Sequence, residues 1–292
     1  MKKDFLSWAI FIVLSFIWGS SFILMKIGLH RLTPYQVASI RIVSSGLVLS
    51  PIAIKCLKQI PKQKLLIVFL SGLLGNLIPA FLFCLAEQRI DSALTGTINC
   101  LTPIFVIVTG ALIFNSKTPV NKIIGVVIAF SGTALLFIGK GHLHGWLDMI
   151  DVSYVVLATI LYGINVNMVH HQLKNIPSLH IVAVALFLNG LLAFTVLVFT
   201  GYFYLPFSNH DVLLSTCAAA VLGTFGTAIA TIIFYSLIKR AGAVFSSLVT
   251  YGMPFVAIFW GFVAGEDIGW GQISCLLLIL IGVYWANRNK SD

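Results

Sequence analysis

One pattern of glycine, phenylalanine and proline occurs in both halves of this sequence. The residues that recur at an offset of about 151 positions are Gly72 and Gly223, Gly75 and Gly226, Phe83 and Phe234, and Pro103 and Pro254. Gly19 and Gly46 recur as Gly163 and Gly190, at an offset of about 144. The repetition predicts two similar structural units, at residues 1–141 and 149–289.

The composition shows where such units must fold. Hydrophobic residues make up 59% of the 292 residues, charged residues only 9%, and the mean hydropathy is +1.02. A soluble domain carries about 25% charged residues, so this chain is expected to use lipid as solvent. The formal net charge is +9, but the basic residues stand singly at the ends of apolar runs. This distribution argues against nucleic-acid binding.

Apolar runs long enough to cross a bilayer, about 20 residues each, occur ten times. The predicted spans are 5–27, 34–56, 65–86, 92–114, 120–139, 149–171, 177–200, 211–237, 243–265 and 270–287. The predicted fold is therefore an all-α integral membrane protein with ten transmembrane helices in two five-helix repeats. Because five is odd, the second repeat must enter the membrane from the opposite side, which gives an inverted topology.

The lysines and arginines of the short loops predict cytoplasmic N- and C-termini. With this orientation the cytoplasmic loops and ends carry Lys2, Lys3, Lys55, Lys58, Lys62, Lys64, Lys117, Lys122, Lys174, Lys239, Arg240, Arg288 and Lys290. The outer side carries Lys26, Arg31, Arg89 and Lys140, and Arg41 lies within a span.

Motifs for metal, nucleotide or covalent chemistry are not found in the sequence. The five cysteines form no Cys-x-x-Cys pair, and the histidine pairs at 142/144 and 170/171 have no third ligand at metal spacing. There is no Walker loop and no dinucleotide fingerprint. We therefore expect no cofactor, no metal and no enzymatic activity, and transport driven by a gradient rather than by ATP.

Several short motifs resemble one protein family. Trp18-Gly19-Ser20-Ser21-Phe22 with Lys26 looks like the first helix of EamA-type members of the drug/metabolite transporter superfamily, and Arg41 resembles the arginine of that family's second helix. The first unit continues with Leu85-Ala86, Ser92-Ala93, Leu101-Thr102-Pro103-Ile104-Phe105, Gly125 and Gly132. The second unit has Tyr235-Ser236-Leu237, Ala243, Met253-Pro254-Phe255, Gly265-Glu266 and Gly282.

The resemblance covers essentially the whole chain. It implies a ten-helix secondary transporter of the bacterial inner membrane, often an exporter of amino acids or other small metabolites. The sequence departs from the family pattern at the end of the fourth span of the first unit, which has Phe114-Asn115 where the second unit has Gly265-Glu266. The acidic role is therefore carried over only to Glu266.

Three charged residues lie toward the outer ends of the first three predicted spans: Lys26, Arg41 and Glu87. Charged side chains at membrane depth cost about 2.5–3.5 kcal/mol on insertion scales, so each suggests a function. One hypothesis is a gate, in which an ion pair breaks when substrate or a proton arrives. The alternative is that the cations extend to the headgroups and Glu87 pairs with Arg89.

Polar and aromatic residues at membrane depth are the candidates for a substrate pathway. They are Trp18, Ser21, Asn76, Phe83, Asn99, Tyr162, Asn165, Thr227 and Tyr251. A site near the repeat interface would use them to bind substrate. The alternative for the amides is hydrogen bonding between helices, which contributes about 0.6 kcal/mol on average.

Two prolines and two glycine pairs are expected to deform the helices. Pro103 and Pro254 each remove a backbone hydrogen bond and are predicted to kink their spans, with Thr102 and Thr250 close enough to satisfy freed carbonyls. The glycine pairs in the third span of each unit permit close helix packing, and they are also candidates for softening the helix.

Three functions remain open at this point. The first is a secondary transporter that moves a small metabolite by alternating access, with membrane lipids around it and a proton or counter-substrate as candidate coupling partner. The second is an integral membrane enzyme acting on lipid-linked substrates, with outer carboxylates such as Asp148, Asp151, Glu266 and Asp267 as its candidate cluster. The third is a channel.

Overall fold

The computed structural model describes residues 5–90, 92–138, 147–263 and 269–287, and its regular structure is entirely helical. The helices of the first unit are α1 (Phe5–Leu29), α2 (Pro34–Leu57), α3 (Lys62–Glu87), α4 (segments Ser92–Asn99 and Thr102–Phe114) and α5 (Val120–Ile138). Those of the second unit are α6 (Leu147–Gln172), α7 (Ser178–Phe199), α8 (His210–Ala241), α9 (segments Ala243–Ser247 and Met253–Val263) and α10 (Trp270–Asn287).

Eight of these helices are long and apolar enough to cross a membrane. Over the residues whose side chains are described, α5 and α10 contain shorter apolar stretches, Val120–Leu135 and Ile273–Asn287. The predicted all-helical membrane fold is thus confirmed, with helix bounds close to the predicted spans. The count of ten crossings and the cytoplasmic location of both termini stay predictions.

Local sequence signals explain where several helices begin. Thr33 caps α2: its hydroxyl accepts from the Gln36 backbone N–H at 3.3 Å, and the Gln36 side chain accepts from the Thr33 N–H at 3.0 Å. Pro34 follows as the first helical residue, where its missing N–H costs nothing. Asn209 caps α8 by accepting from the Asp211 N–H at 2.9 Å.

The two units are interleaved rather than side by side. Helices at equivalent positions pack together, α2 along α7 and α5 along α10. The first helix of each unit packs on the third and fourth helices of the other, so α1 contacts α8 and α9, while α6 contacts α3 and α4. The interface between the repeats therefore runs through the centre of the molecule.

Both third helices contain a π-helical turn next to the repeated glycines, at Leu73–Leu77 in α3 and Leu222–Ile229 in α8. π-Turns are rare and occur frequently at functional sites. A Cβ on Gly72 would meet Asn189 and the Ala185 carbonyl of α7, and one on Gly223 would meet the Arg41 carbonyl and Ser44 of α2. These glycines allow each third helix to approach the second helix of the other unit.

The predicted mid-helix position of Pro103 and Pro254 is corrected by the structure. Each lies in the first turn of a new segment, Pro103 in Thr102–Phe114 and Pro254 in Met253–Val263, so the helix is broken rather than kinked. The break precedes the proline because its ring removes the bond to the carbonyl four residues earlier. At Pro103 that carbonyl, of Asn99, accepts from the Thr102 hydroxyl at 2.7 Å. At Pro254 it belongs to Thr250, and Cys100 Sγ lies 3.3 Å from it.

Candidate functional site

A cavity lies at the interface between the two units, with an empty volume of about 830 Å³ counted to its open mouth. Helices of both repeats form its wall, namely α1 to α4 of the first unit and α6, α8 and α9 of the second. The π-turns of α3 and α8 and the helix breaks of α4 and α9 all adjoin it.

Seven of the nine predicted pathway residues line this cavity. They are Trp18, Ser21, Asn76, Phe83, Asn99, Tyr162 and Asn165. Thr227 and Tyr251 do not line it. Tyr251 is fully buried and its hydroxyl donates to the Val126 carbonyl at 3.0 Å, while Thr227 accepts a hydrogen bond from Arg41. Contact of Thr227 and Tyr251 with a substrate stays a prediction, and their positions outside the cavity wall do not support it.

Two aromatic pairs, equivalent in the repeat, form apolar parts of the wall. Trp18 meets Phe234 edge-on with ring centroids 4.9 Å apart, and its Nε1 donates to the Gly226 carbonyl at 3.0 Å. Tyr162 stacks near Phe83 with centroids 6.0 Å apart. Each pair joins the first helix of one unit to the third helix of the other, so relative movement of the units would change both pairs.

Amide side chains provide polar groups at the same depth. Asn76 Oδ1 accepts from Thr231 at 3.1 Å, and Asn99 Oδ1 accepts from Thr102 at 3.2 Å. The Asn165 amide meets the Tyr235 hydroxyl at 3.0 Å. Of these three contacts, the one between Asn76 and Thr231 crosses between the units, and the one between Asn165 and Tyr235 joins α6 to α8 within the second unit.

Two other amides that the sequence places at membrane depth have structural contacts. Asn167 donates to the Val106 carbonyl at 2.8 Å, and Asn189 donates to the Phe69 carbonyl at 3.2 Å. Neither lines the cavity. Both amides therefore make hydrogen bonds between helices.

Arg41 differs from the other two members of the predicted charge cluster in its relation to the cavity. It lines the cavity and its Nε donates to Thr227 Oγ1 at 2.7 Å. Lys26 and Glu87 are absent from the cavity wall. Lys26 is exposed and its Nζ lies 3.4 Å from the backbone carbonyl oxygen of Glu87 rather than from its carboxylate.

Glu87 is buried, with 1% of its surface exposed, and neither carboxylate oxygen has a hydrogen-bond partner within the described part of the chain. The described residues show no ion pair among Lys26, Arg41 and Glu87, and none between Glu87 and Arg89. The gate hypothesis therefore stays a prediction. In the arrangement seen here, its three charged groups stand near one another without direct pairing.

The cavity also contains residues that the sequence analysis did not assign to the pathway. Among them are Phe22, Met25, Ser246, Ser247 and Met253. The repeat offset of about 151 would have found part of this set: it relates Asn99 to Thr250 and Thr102 to Met253, and all four line the wall. Phe22 and Met25 carry no polar signal that separates them from lipid-facing residues of α1.

Several predicted features fall outside the described residues. Glu266, to which the acidic family role was assigned, lies there with Asp267, and so does the His142/His144 pair. The side chain of Asp148 is also not described, while Asp151 is buried near the start of α6.

The family comparison matches both units. The model of the EamA-like transporter family matches residues 6–138 and again residues 149–288. These two ranges together cover nearly the whole chain.

Curated relatives align over almost their full length. An uncharacterized transporter of Archaeoglobus fulgidus is 22% identical, with 99% of this chain and 100% of that protein covered. The uncharacterized transporter YoaV of Bacillus subtilis is 26% identical, with 94% of each covered. Protein PagO of Salmonella typhimurium is 23% identical, with 97% of this chain and 93% of PagO covered. One solved crystal structure has the same fold, with a TM-score of 0.74 at 13% identity over 97% of each chain.

Proposed function

Because the chain belongs to the EamA-like transporter family, we propose that this membrane transporter is a secondary transporter that exports a small polar metabolite by alternating access. The two five-helix units would be inverted relative to each other, with both termini in the cytoplasm and the protein in the bacterial inner membrane. The cavity between the units is the proposed substrate site.

The observation that carries the proposal is the position of the cavity in the repeat. Its wall includes the first, third and fourth helices of both units, and it adjoins the π-turns and the helix breaks that occur once in each unit. Transporters built from inverted repeats bind substrate at the repeat interface near interrupted helices. Rocking of one unit against the other would expose such a site to each side of the membrane in turn.

The direct test compares the spent medium of otherwise identical cells with and without the gene by metabolite profiling. Export predicts that one compound, or a few related compounds, accumulate in the medium only when the protein is present. Amino acids are the first compounds to examine, since the family resemblance implies them. Unchanged medium together with altered membrane lipids would contradict export and favour an enzyme acting on lipid-linked substrates.

A further inference from the structure

The charge of the cavity wall is the starting point for a narrower assignment of substrate class. Among the residues that the structure describes, Arg41 is the one charged side chain that lines the cavity. Of the carboxylates whose side chains are described, Glu87, Asp151 and Asp211, none lines it. Within the described part of the wall, a single guanidinium therefore acts on a partly apolar space. Glu87 lies outside the wall, close enough to Arg41 to interact with it electrostatically.

The guanidinium is held in place by one hydrogen bond that leaves most of its donors free. Its Nε donates to Thr227 of the other unit, and among the described residues no partner contacts its two Nη nitrogens. Arginine presents its donors in a planar fork that matches a carboxylate in two parallel hydrogen bonds. The hydrogen bond from Nε to Thr227 restrains the guanidinium at the interface between the repeats.

Among the amides of the cavity, Asn76 adds a free donor. The side-chain oxygens of Asn76 and Asn99 already accept hydrogen bonds from Thr231 and Thr102. The Asn76 side-chain nitrogen has no partner among the described residues. A ligand that brings acceptor oxygens finds free donors here, whereas a ligand that brings an ammonium group finds no carboxylate in the described cavity wall to balance its charge.

The apolar part of the wall lies close to the cation. Arg41 is near enough to Tyr162 and Cys84 to interact electrostatically with both, and Tyr162 stacks near Phe83, the neighbour of Cys84 in α3. Trp18 and Phe234 form the second aromatic pair of the same cavity. Flat apolar groups pack well against such rings.

From these observations we propose that the cavity selects organic acids with one carboxylate and a flat apolar body, bound with the carboxylate on Arg41. The proposal rests on the assignment of this cavity as the substrate site. A phosphate monoester carries about −1.5 to −2 charges at neutral pH, so one guanidinium would leave excess negative charge in the cavity. An amino acid supplies the carboxylate but also brings an ammonium group without a counter-charge.

Binding to the purified full-length protein in lipid nanodiscs tests the proposal, with four compounds that share one phenyl body. Phenylpropanoate carries a carboxylate, phenylpropanamide is neutral, phenylpropylamine carries an ammonium group, and phenylalanine carries both charges. We expect the carboxylate to bind at least about tenfold more tightly than the amide, as loss of one charge-assisted hydrogen bond implies. The zwitterion should bind more weakly than the carboxylate, and the amine most weakly.

Variants at Arg41 test whether its guanidinium causes the preference for carboxylates. Arg41→Gln should reduce carboxylate affinity to that of the amide, and Arg41→Lys should retain part of the preference. Arg31→Gln is the matched control, because Arg31 pairs with Asp211 on an exposed surface away from the cavity. If Arg41→Gln does not fold, the order of the four ligands on the wild-type protein and on Arg41→Lys still decides.

Tighter binding of the amine or the zwitterion, no binding of the carboxylate, or an unchanged preference in folded Arg41→Gln would each overturn the proposal. Its failure is distinguishable from failure of the transport function. Carboxylate binding without flux into vesicles would contradict transport and leave the selectivity intact. Saturable flux of an amine without carboxylate binding would leave transport intact and overturn the selectivity.

Discussion

The two units share a scaffold and differ in the residues that face the cavity. The glycines beside the π-turns, the prolines at the helix breaks and the aromatic pairs recur in both. The second unit has Ala185 where the first has Arg41, and Ile238 where the first has Glu87. The comparison teaches that the repeat supplies packing and helix breaks, while the charge of the described cavity wall, on Arg41, comes from the first unit.

The hydrogen bond between Arg41 and Thr227 connects a charged position found only in the first unit with a position on the third helix, which both units share. Thr227 is the repeat equivalent of Asn76, so the same site in the third helix supports a cation in one unit and lines the cavity in the other. A pseudo-symmetric scaffold thereby obtains an asymmetric site.

The largest expected effect comes from removing the asymmetric charge. Arg41→Ala makes the first unit like the second, and export of the compound identified in the medium should fall at least about tenfold, because a charge-assisted contact is lost. Quantifying the variant in the membrane fraction separates loss of transport from loss of insertion. Arg31→Ala should leave export near the wild-type rate, and normal export by Arg41→Ala would refute its role.

Changing a shared glycine should disrupt the scaffold instead. In Gly223→Ala the new Cβ would meet the Arg41 backbone carbonyl, which cannot move without moving α2. We expect a loss of about 1–3 kcal/mol in the free energy of unfolding, typical of overpacking, and a lower thermal midpoint in detergent. Gly72→Ala should behave alike if the units are equivalent in packing.

Gly271→Ala in α10 provides the control for these glycine variants, because its Cβ would have open space around it. A thermal midpoint for Gly223→Ala equal to that of Gly271→Ala would show that α2 and α8 do not pack as described.

Substitutions in the two aromatic pairs should have effects of intermediate size on stability. Trp18→Phe keeps a ring next to Phe234 but loses the hydrogen bond to the Gly226 carbonyl, at a cost of about 0.5–1.5 kcal/mol. Tyr162→Phe keeps its ring near Phe83, and its hydroxyl has no hydrogen bond among the described residues, so its unfolding midpoint should change less. Equal shifts for the two variants would argue against the contact with α8.

The smallest expected difference concerns the two helix breaks. Thr102→Val removes the donor to the carbonyl that Pro103 leaves free, at about 0.6 kcal/mol. Thr250→Val removes a bond to the Ser247 carbonyl, which no proline has freed, so its effect on the thermal midpoint should be smaller. A larger effect of Thr250→Val than of Thr102→Val would contradict the assignment of Thr102 as the donor to the carbonyl that Pro103 leaves free.

The sequence predicts the helices well because hydropathy over about 20 residues is decided by lipid and does not depend on tertiary contacts. Seven of the nine pathway candidates that the sequence predicts line one cavity. The prediction succeeds there because polar side chains at membrane depth pair with one another or face a water-filled space. Tyr251 shows the limit of this argument. Its hydroxyl has a partner on α5, and only the packing of α9 against that helix reveals it.

The charge cluster and the prolines show two further limits. Lys26, Arg41 and Glu87 lie at similar predicted depth, but depth does not determine which side of a helix faces the cavity, and only Arg41 faces it. Pro103 and Pro254 were predicted to kink continuous helices. The turn before each proline adopts its own conformation, which depends on donors such as Thr102 and Cys100.

Cysteine accessibility tests alternating access at the cavity most directly, and it requires no known substrate. In a background without the five native cysteines, Ser21→Cys places a thiol at the cavity wall and Ser208→Cys places one in the exposed loop before α8. A membrane-impermeant thiol reagent is then added to right-side-out and to inverted vesicles. Alternating access predicts labelling of Ser21→Cys from both sides and of Ser208→Cys from one side only. Labelling of Ser21→Cys from a single side, or from neither, would contradict it.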